Sequence, residues 1–196
     1  MAIDTVIFAG VCISSGRKPI TFASLDDKLG VVQLVQWEIP EVIACLQGYE
    51  NIQVGISLPT SKGGREILKD LQEKIGQIGF RHYSQKNSSR LWMESRAEEC
   101  YKVFQSGLLP RWTLEGRIQR GLILYDEGLL IHDPMDFFEE ITRHKIIQGT
   151  LPVENLFSPK QLDALMLAYV SWMAGNPAEK VMIRDQVMLP KITEDD

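Results

Sequence analysis

At 196 residues, with 44% hydrophobic and 24% charged residues, the chain has the size and composition of a globular protein with one substantial core. Its net charge of −5 argues against a general nucleic-acid footprint but leaves room for a local basic patch. The first apolar run is far too short to span a membrane, and no cationic segment precedes it, so we expect neither an anchor nor a secretory leader. The three cysteines, Cys12, Cys45 and Cys100, are odd in number and lack metal-like spacing, which indicates reduced thiols in a cytoplasmic protein.

The first predicted element is a buried strand between Thr5 and Ser14. This stretch is almost wholly apolar and rich in β-branched residues, and a turn signal follows it. Residues 19–25 and 31–37 are predicted to follow as two more strands, and the short turns between the three strands favour an antiparallel meander. A short helix over residues 39–46 then returns the chain to an apolar strand over residues 52–58, parallel to the first strand and beside it.

The second half of the chain is predicted to be mostly helical. Residues 60–64 and 84–89 are expected as loops, and the strongest helix signal is the capping box that starts at Ser158. Three other helices are predicted over residues 65–78, 91–106 and 113–127. Residues 137–147 fit either helix or strand, and residues 187–190 fit an edge strand. We interpret residues 1–192 as a single domain followed by a disordered tail, 193–196.

Asp163 is the most informative polar residue, because the helix around it is apolar on most sides. A helix of that kind is buried on most sides, and a buried ionised carboxylate is costly unless it is paired, hydrogen-bonded or bound to a cation. Asp163 is therefore a candidate catalytic residue. The alternative is an acid of the first helical turn that the helix dipole favours and a loop amide bonds.

Glu140 belongs to the densest polar cluster and lies one helical turn from His144 if the segment is helical. A Glu–His pair can bind a metal or move protons, but such residues more often form a solvated face with a weak ion pair. The segment contains no second histidine, so one Glu and one His do not complete a metal site.

Three further features have both a functional and a purely structural interpretation. The segment from Ser61 to Arg65 resembles an anion-binding loop at a helix N-terminus, although an ordinary glycine-rich turn is the more common explanation. Cys12 and Ser57 stand at strand ends, where α/β proteins place their ligands, yet the sequence offers Cys12 no base. The four tryptophans are interpreted as core or interface residues, since they lie on separate predicted elements.

The order of elements and several short motifs resemble a family of predicted nucleases of unknown function that have a ribonuclease H-like (RNase H-like) fold. The residues that carry the resemblance are Ala9-Gly10-Val11-Cys12-Ile13-Ser14, Val54-Gly55-Ile56-Ser57-Leu58-Pro59, Glu140-Ile141-Thr142-Arg143-His144, and Leu162-Asp163-Ala164-Leu165 with Ala168 and Trp172. The resemblance implies an α/β fold with a mixed central sheet, in which a three-strand antiparallel meander continues into parallel strands and helices cover both faces. It also implies Asp163 and Glu140 as the acids of the site.

This sequence departs from the family pattern at two positions. The first family aspartate is replaced by Cys12 and the second by Ser57. RNase H-like nucleases use clustered carboxylates to hold divalent metal ions, and Mg²⁺ prefers carboxylate oxygen. The replacements remove two formal charges from the expected site, which favours a degenerate, non-catalytic member of the family.

Three functional hypotheses follow from the sequence. The first is a non-catalytic protein that keeps the fold and uses the cleft to bind a ligand or partner. The second is a metal-dependent nuclease or phosphodiesterase, with Mg²⁺ or Mn²⁺ held by Asp163, Glu140 and acids such as Asp133 or Glu94. The third is an assembly protein that forms a homodimer through an edge strand or its tryptophans. No cofactor is otherwise indicated, and nucleic acid enters as a partner only through the family resemblance.

Overall fold

An eight-stranded mixed sheet with helices packed on it forms the described part of the chain. The computed structural model describes residues 6–85, 88–139, 156–176, 181–185 and 187–191. The strands are β1 (Ile7–Ile13), β2 (Ile20–Leu25), β3 (Val31–Trp37), β4 (Ile52–Ser57), β5 (Arg81–His82), β6 (Arg90–Ser95), β7 (Val181–Arg184) and β8 (Val187–Pro190). The helices that lie wholly within the described residues are α1 (Ile39–Gln47), α2 (Lys62–Gln77), α3 (Ala97–Phe104), α4 (Leu114–Asp126) and α5 (Pro159–Gly175).

The strand order is β3-β2-β1-β4-β6-β8-β7, and β5 pairs with β6 as well. The first three strands form the predicted antiparallel meander. After α1, β4 pairs parallel to β1, and β6 pairs parallel to β4. The predicted α/β class, the mixed sheet and the central position of β1 are therefore confirmed.

The two faces of β1 support two separate cores. Ile7, Ala9, Val11 and Ile13 pack with α1 and α2, whereas Phe8 and Cys12 pack with residues of α3, α4 and α5 on the opposite face. Since successive side chains of a strand point to opposite faces, Gly10 lies on the α5 side together with Cys12. The helices thus cover both faces of the sheet, as predicted.

The segment predicted as one helix over residues 91–106 is instead a strand followed by a helix. In β6, Leu91, Met93 and Ser95 are buried and alternate with partly exposed residues. The strand lies between β4 and β8, and those neighbours satisfy its backbone groups. Leu, Met and Glu favour helices in isolation, but pairing within the sheet overrides that preference here.

Two helix predictions need correction in detail. Helix α2 begins at Lys62, not at Arg65, because Ser61 caps it by accepting the N–H of Gly64. In α4 the buried face contains Gly116, Arg120 and Gly121, while Tyr125 is 40% exposed. The two glycines therefore do not interrupt α4, and both lie on its buried face.

The C-terminal strands also differ from the expectation. Residues 187–190 form β8, which lies between β6 and β7, so β7 is the edge strand and β8 is not. Of the segment 137–147, residues 137–139 are helical and the remainder lies outside the described residues, as do Glu140, His144 and the predicted tail. Across the described ranges, no helix is both long and apolar enough to cross a membrane.

Candidate functional site

The carboxyl ends of β1 and β4 lie side by side and form the floor of a pocket. The two strands pair in parallel, with Val11 opposite Ile56. Just beyond that pair, the backbone N–H of Ile13 donates to the Ser57 hydroxyl at 2.8 Å. Since ligands of open α/β sheets bind beyond the carboxyl ends of the strands, this is where the fold favours a site.

Asp163 reaches this pocket because α5 lies unusually close to the sheet. A Cβ built on Gly10 would be 1.9 Å from the carbonyl oxygen of Ala164, and one built on Gly55 would be 2.6 Å from that of Leu167. The two glycines are paired in register, so they form a single seat for the helix. The result is a 3.9 Å contact in which the Cys12 thiol donates to a carboxylate oxygen of Asp163.

The start of α5 fixes the height of Asp163 above the sheet. Ser158 and Gln161 form the predicted capping box, and Pro159 occupies the first turn. Asp163 lies beyond that turn, is 6% exposed, and its carboxylate accepts from an arginine side chain. The alternative is therefore wrong in placing this acid in the first helical turn.

An arginine from the segment before α4 neutralises Asp163. The guanidinium of Arg111 donates to the carboxylate at 2.5 Å. Burial raises the pKa of Asp163 from 3.8 to about 6, and the positive charge of Arg111 opposes that rise. At neutral pH the carboxylate is ionised and its charge is already matched by a cation.

Cys12 is present at the site as a neutral thiol. Burial and the charge of Asp163 raise its pKa to about 12, while Arg111 and Lys160 act in the opposite direction. A thiolate is the form that attacks carbon or binds metal, so Cys12 is inert toward both at neutral pH. Its small apolar side chain fills space beside α5.

Cys12, Ser57 and Asp163 thus line one cavity of about 550 Å³, together with Ser61 of the candidate anion-binding loop and four residues that the sequence did not suggest as site residues. Glu98 and Arg96 come from the start of α3, and Arg111 and Trp112 from the segment before α4. Glu98 accepts a hydrogen bond at 2.8 Å from Arg120, a guanidinium that is only 1% exposed. Because residues 91–106 were predicted as one helix, the junction between β6 and α3 that places Glu98 at the pocket was missed.

The acids named as additional ligands lie elsewhere. Glu94 accepts from the Gln72 amide at 2.7 Å, and Asp133 accepts the backbone N–H of Met135 at 2.8 Å. Neither lines the pocket of Asp163. Within the ranges that the structure describes, no group of three or more His, Cys, Asp or Glu side chains could hold a metal ion.

The donor set therefore does not suit the divalent metal that the family resemblance implies. The pocket offers a neutral thiol, hydroxyl groups and two carboxylates, each bonded to an arginine, where Mg²⁺ would need several free anionic oxygens. Comparison with known family models and with curated proteins gives no match for this chain.

Proposed function

We propose that this chain is a non-catalytic protein with an RNase H-like fold, a degenerate relative of the predicted nucleases, which uses the pocket at the ends of β1 and β4 to bind a ligand. The order of its first strands supports the fold assignment. An antiparallel meander, a helix and a parallel strand beside β1 is the arrangement that the resemblance implies. The pocket also lies where such a fold would carry its acids.

The observation that carries this proposal is the ion pair between Arg111 and Asp163. In a two-metal nuclease the acids must offer free oxygens to cations. Here the buried carboxylate of Asp163 already has a cationic partner within the fold, and the positions beside it hold Cys12 and Ser57. A divalent cation at this carboxylate would have to share it with Arg111 and overcome repulsion from the guanidinium, which occupies the Oδ2 oxygen.

The competing function is a metal-dependent nuclease that uses Asp163 and Glu140. Glu140 lies outside the described residues. The second carboxylate at the described pocket is that of Glu98, and it too is bonded to an arginine, Arg120. This hypothesis therefore requires a metal ion to share both carboxylates with their arginine partners.

A cleavage assay separates the two functions. Single- and double-stranded DNA and RNA would be incubated with the purified chain and Mg²⁺ or Mn²⁺, and we expect no products above a buffer control. Calorimetry with Mn²⁺ should give the same heats for the wild type and for Asp163→Ala, because Asp163 is not a ligand. Asp126→Ala, which changes an exposed acid at the end of α4, is the matched control.

The result that would overturn the proposal is equally specific. Metal-dependent cleavage that Asp163→Asn abolishes and Asp126→Asn leaves intact would make Asp163 a catalytic residue. Contaminating nuclease activity is excluded by the same pair, since it would not depend on the identity of residue 163.

A further inference from the structure

The residues that line the pocket include a group of hydroxyl side chains. Five of its lining side chains carry hydroxyl groups: Ser14, Ser15, Ser57, Thr60 and Ser61. The Ser57 oxygen accepts the N–H of Ile13, so its own proton remains available to a ligand. The Ser14 hydroxyl donates to the carbonyl oxygen of Pro19, and the other four hydroxyl groups around a cavity of about 550 Å³ suit an oxygen-rich small molecule.

Among the described residues, the charged side chains of the pocket leave the ammonium group of one lysine without an ion-pair partner. Arg111 is paired with Asp163, Arg96 with Glu99, and Glu98 with Arg120. Lys160 lines the pocket and takes part in none of the ion pairs between described residues. Its charge is close enough to act on Cys12 in the direction that lowers the thiol pKa. A bound group of negative charge would complete this arrangement.

Two long helices reinforce the preference for an anion. Lys160 belongs to the first turn of α5, a helix of 17 residues, and Ser61 caps α2, a helix of 16 residues. One residue from each helix start, Lys160 of α5 and the N-cap Ser61 of α2, therefore lines the cavity. The partial positive charge of a helix N-terminus adds to that of Lys160 and favours a phosphate over a neutral ligand.

Trp112 provides an aromatic surface at the same pocket. Its side chain is 69% exposed, so Trp112 is not a core residue, and the alternative of an interface residue stays a prediction. The Arg111 guanidinium carbon lies 5.3 Å from the centre of the Trp112 ring and fixes the indole beside the ion pair. An exposed indole beside an anion-binding cavity is suited to stacking a planar base.

We propose that the pocket binds a nucleoside monophosphate, with the phosphate against Lys160 and the hydroxyl groups and the base against Trp112. This inference rests on the proposed function, because it names the ligand class of the pocket to which the proposed function assigns a binding role. The net charge of −5 favours a small ligand over a long nucleic acid, whose binding depends on many cationic contacts.

Calorimetry in low salt with EDTA tests the ligand class directly. The probes are AMP, adenosine and inorganic phosphate. AMP is expected to bind at least about tenfold more tightly than either of its parts, since only AMP engages both the cation and the indole. Equal affinity for AMP and inorganic phosphate would reduce the site to a simple anion site and overturn the proposal, as would no binding of AMP at all.

Two pairs of variants locate the binding. Lys160→Gln is expected to weaken AMP about tenfold, and Lys160→Arg to restore most of the loss, whereas Lys28→Gln, at an exposed turn, should have no effect. Trp112→Ala is expected to weaken AMP by a similar factor and leave the affinity for phosphate unchanged. Tyr125→Ala removes another exposed aromatic, outside this pocket, and is its control. The assignment is contradicted if either control variant loses AMP binding. It is also contradicted if both pocket variants bind AMP as tightly as the wild type.

The two proposals fail separately. EDTA removes the metal on which any nuclease activity would depend, so AMP binding is measured independently of catalysis. Cleavage that requires Asp163 would overturn the non-catalytic function whatever AMP does. Absence of AMP binding in a chain that also fails to cleave would overturn only the ligand assigned here.

Discussion

Asp163 acts within the fold as the counter-ion of Arg111, and its environment sets a pH dependence. Burial raises the pKa of this carboxyl to about 6, so between pH 4 and pH 6 the folded protein binds a proton that the unfolded chain releases. The free energy of unfolding therefore contains a favourable contribution below pH 4 that is lost as the pH rises through 6.

We predict that Asp163→Asn removes this dependence. The stability of the wild type minus that of the variant should fall by about 2 to 3 kcal/mol between pH 4 and pH 7, since one unit of pKa difference corresponds to about 1.4 kcal/mol. Urea unfolding followed by tryptophan fluorescence at each pH measures the difference, with Asp126→Asn as the control for an exposed acid.

The sign of the slope decides between two physical accounts of the pair. If the stability of the wild type minus that of Asp163→Asn falls with rising pH, desolvation of the Asp163 carboxylate outweighs its attraction to Arg111. A difference that rises with pH means that the ion pair dominates and holds the folded pKa below 3.8.

At the scale of elements, the contact of α5 with β1 and β4 determines the geometry of the site. Gly10 of β1 and Gly55 of β4 let the backbone of α5 approach closely, because neither residue has a side chain between strand and helix. A Ser171 hydroxyl on the same helix donates to the carbonyl oxygen of Ala9 at 3.1 Å and ties the two elements together. The distance from Cys12 to Asp163 depends on this close packing.

We predict that Gly10→Ala destabilises the protein by more than about 2 kcal/mol, because the new methyl group would overlap the carbonyl oxygen of Ala164. Gly76→Ala is the matched control. A Cβ at residue 76 of α2 meets nothing within 4 Å, so that change should stabilise the helix by about 0.5 to 1 kcal/mol. Denaturant midpoints of the two variants provide the measurement, and equal stability of Gly10→Ala and wild type would contradict the close packing.

The sequence predicted those elements whose local signals agree with their tertiary environment. At the capping box of Ser158 and in the apolar, β-branched run of β1, the local sequence preference and the tertiary environment favour the same secondary structure. In β6 the local preference and the tertiary environment conflict, because residues that favour a helix are paired as a strand with β4 and β8. The glycines of α4 were misjudged for a related reason: a Cβ at Gly116 would meet the carbonyl oxygen of Pro110, a contact that propensity does not encode.

The candidate site was predicted only as far as its position along the strands. Cys12, Ser57 and Asp163 follow from the parallel pairing of β1 with β4 and from the apolar character of α5. Arg111 and Trp112 could not be found in this way, because they lie in a segment without periodicity whose position depends on α4. A buried acid does predict a nearby cation in general terms, and Arg111 is that cation.

At the scale of the whole molecule, a single sheet separates two cores that depend on it jointly. Residues of β1 contribute to both, with Val11 on one side and Cys12 on the other. The core on the α5 side also contains Cys100 from α3 and residues of β8, so it joins segments from both ends of the chain. Exposing any buried thiol in this core should require the sheet itself to open.

We predict that Cys12 and Cys100 react with a small thiol reagent only through global unfolding. Cys12 borders the pocket but is only 5% exposed, and Cys100 is 0% exposed. Burial raises the pKa of each to about 12, so neither presents a thiolate to the reagent while the protein is folded. Their modification rates, followed by peptide mass spectrometry, should rise with urea along the same steep slope. Cys45 is partly exposed and serves as the internal control that reacts without unfolding. A shallower urea dependence for Cys100 than for Cys12 would mean that α3 detaches on its own, and the two sides of the pocket would then be separate cooperative units.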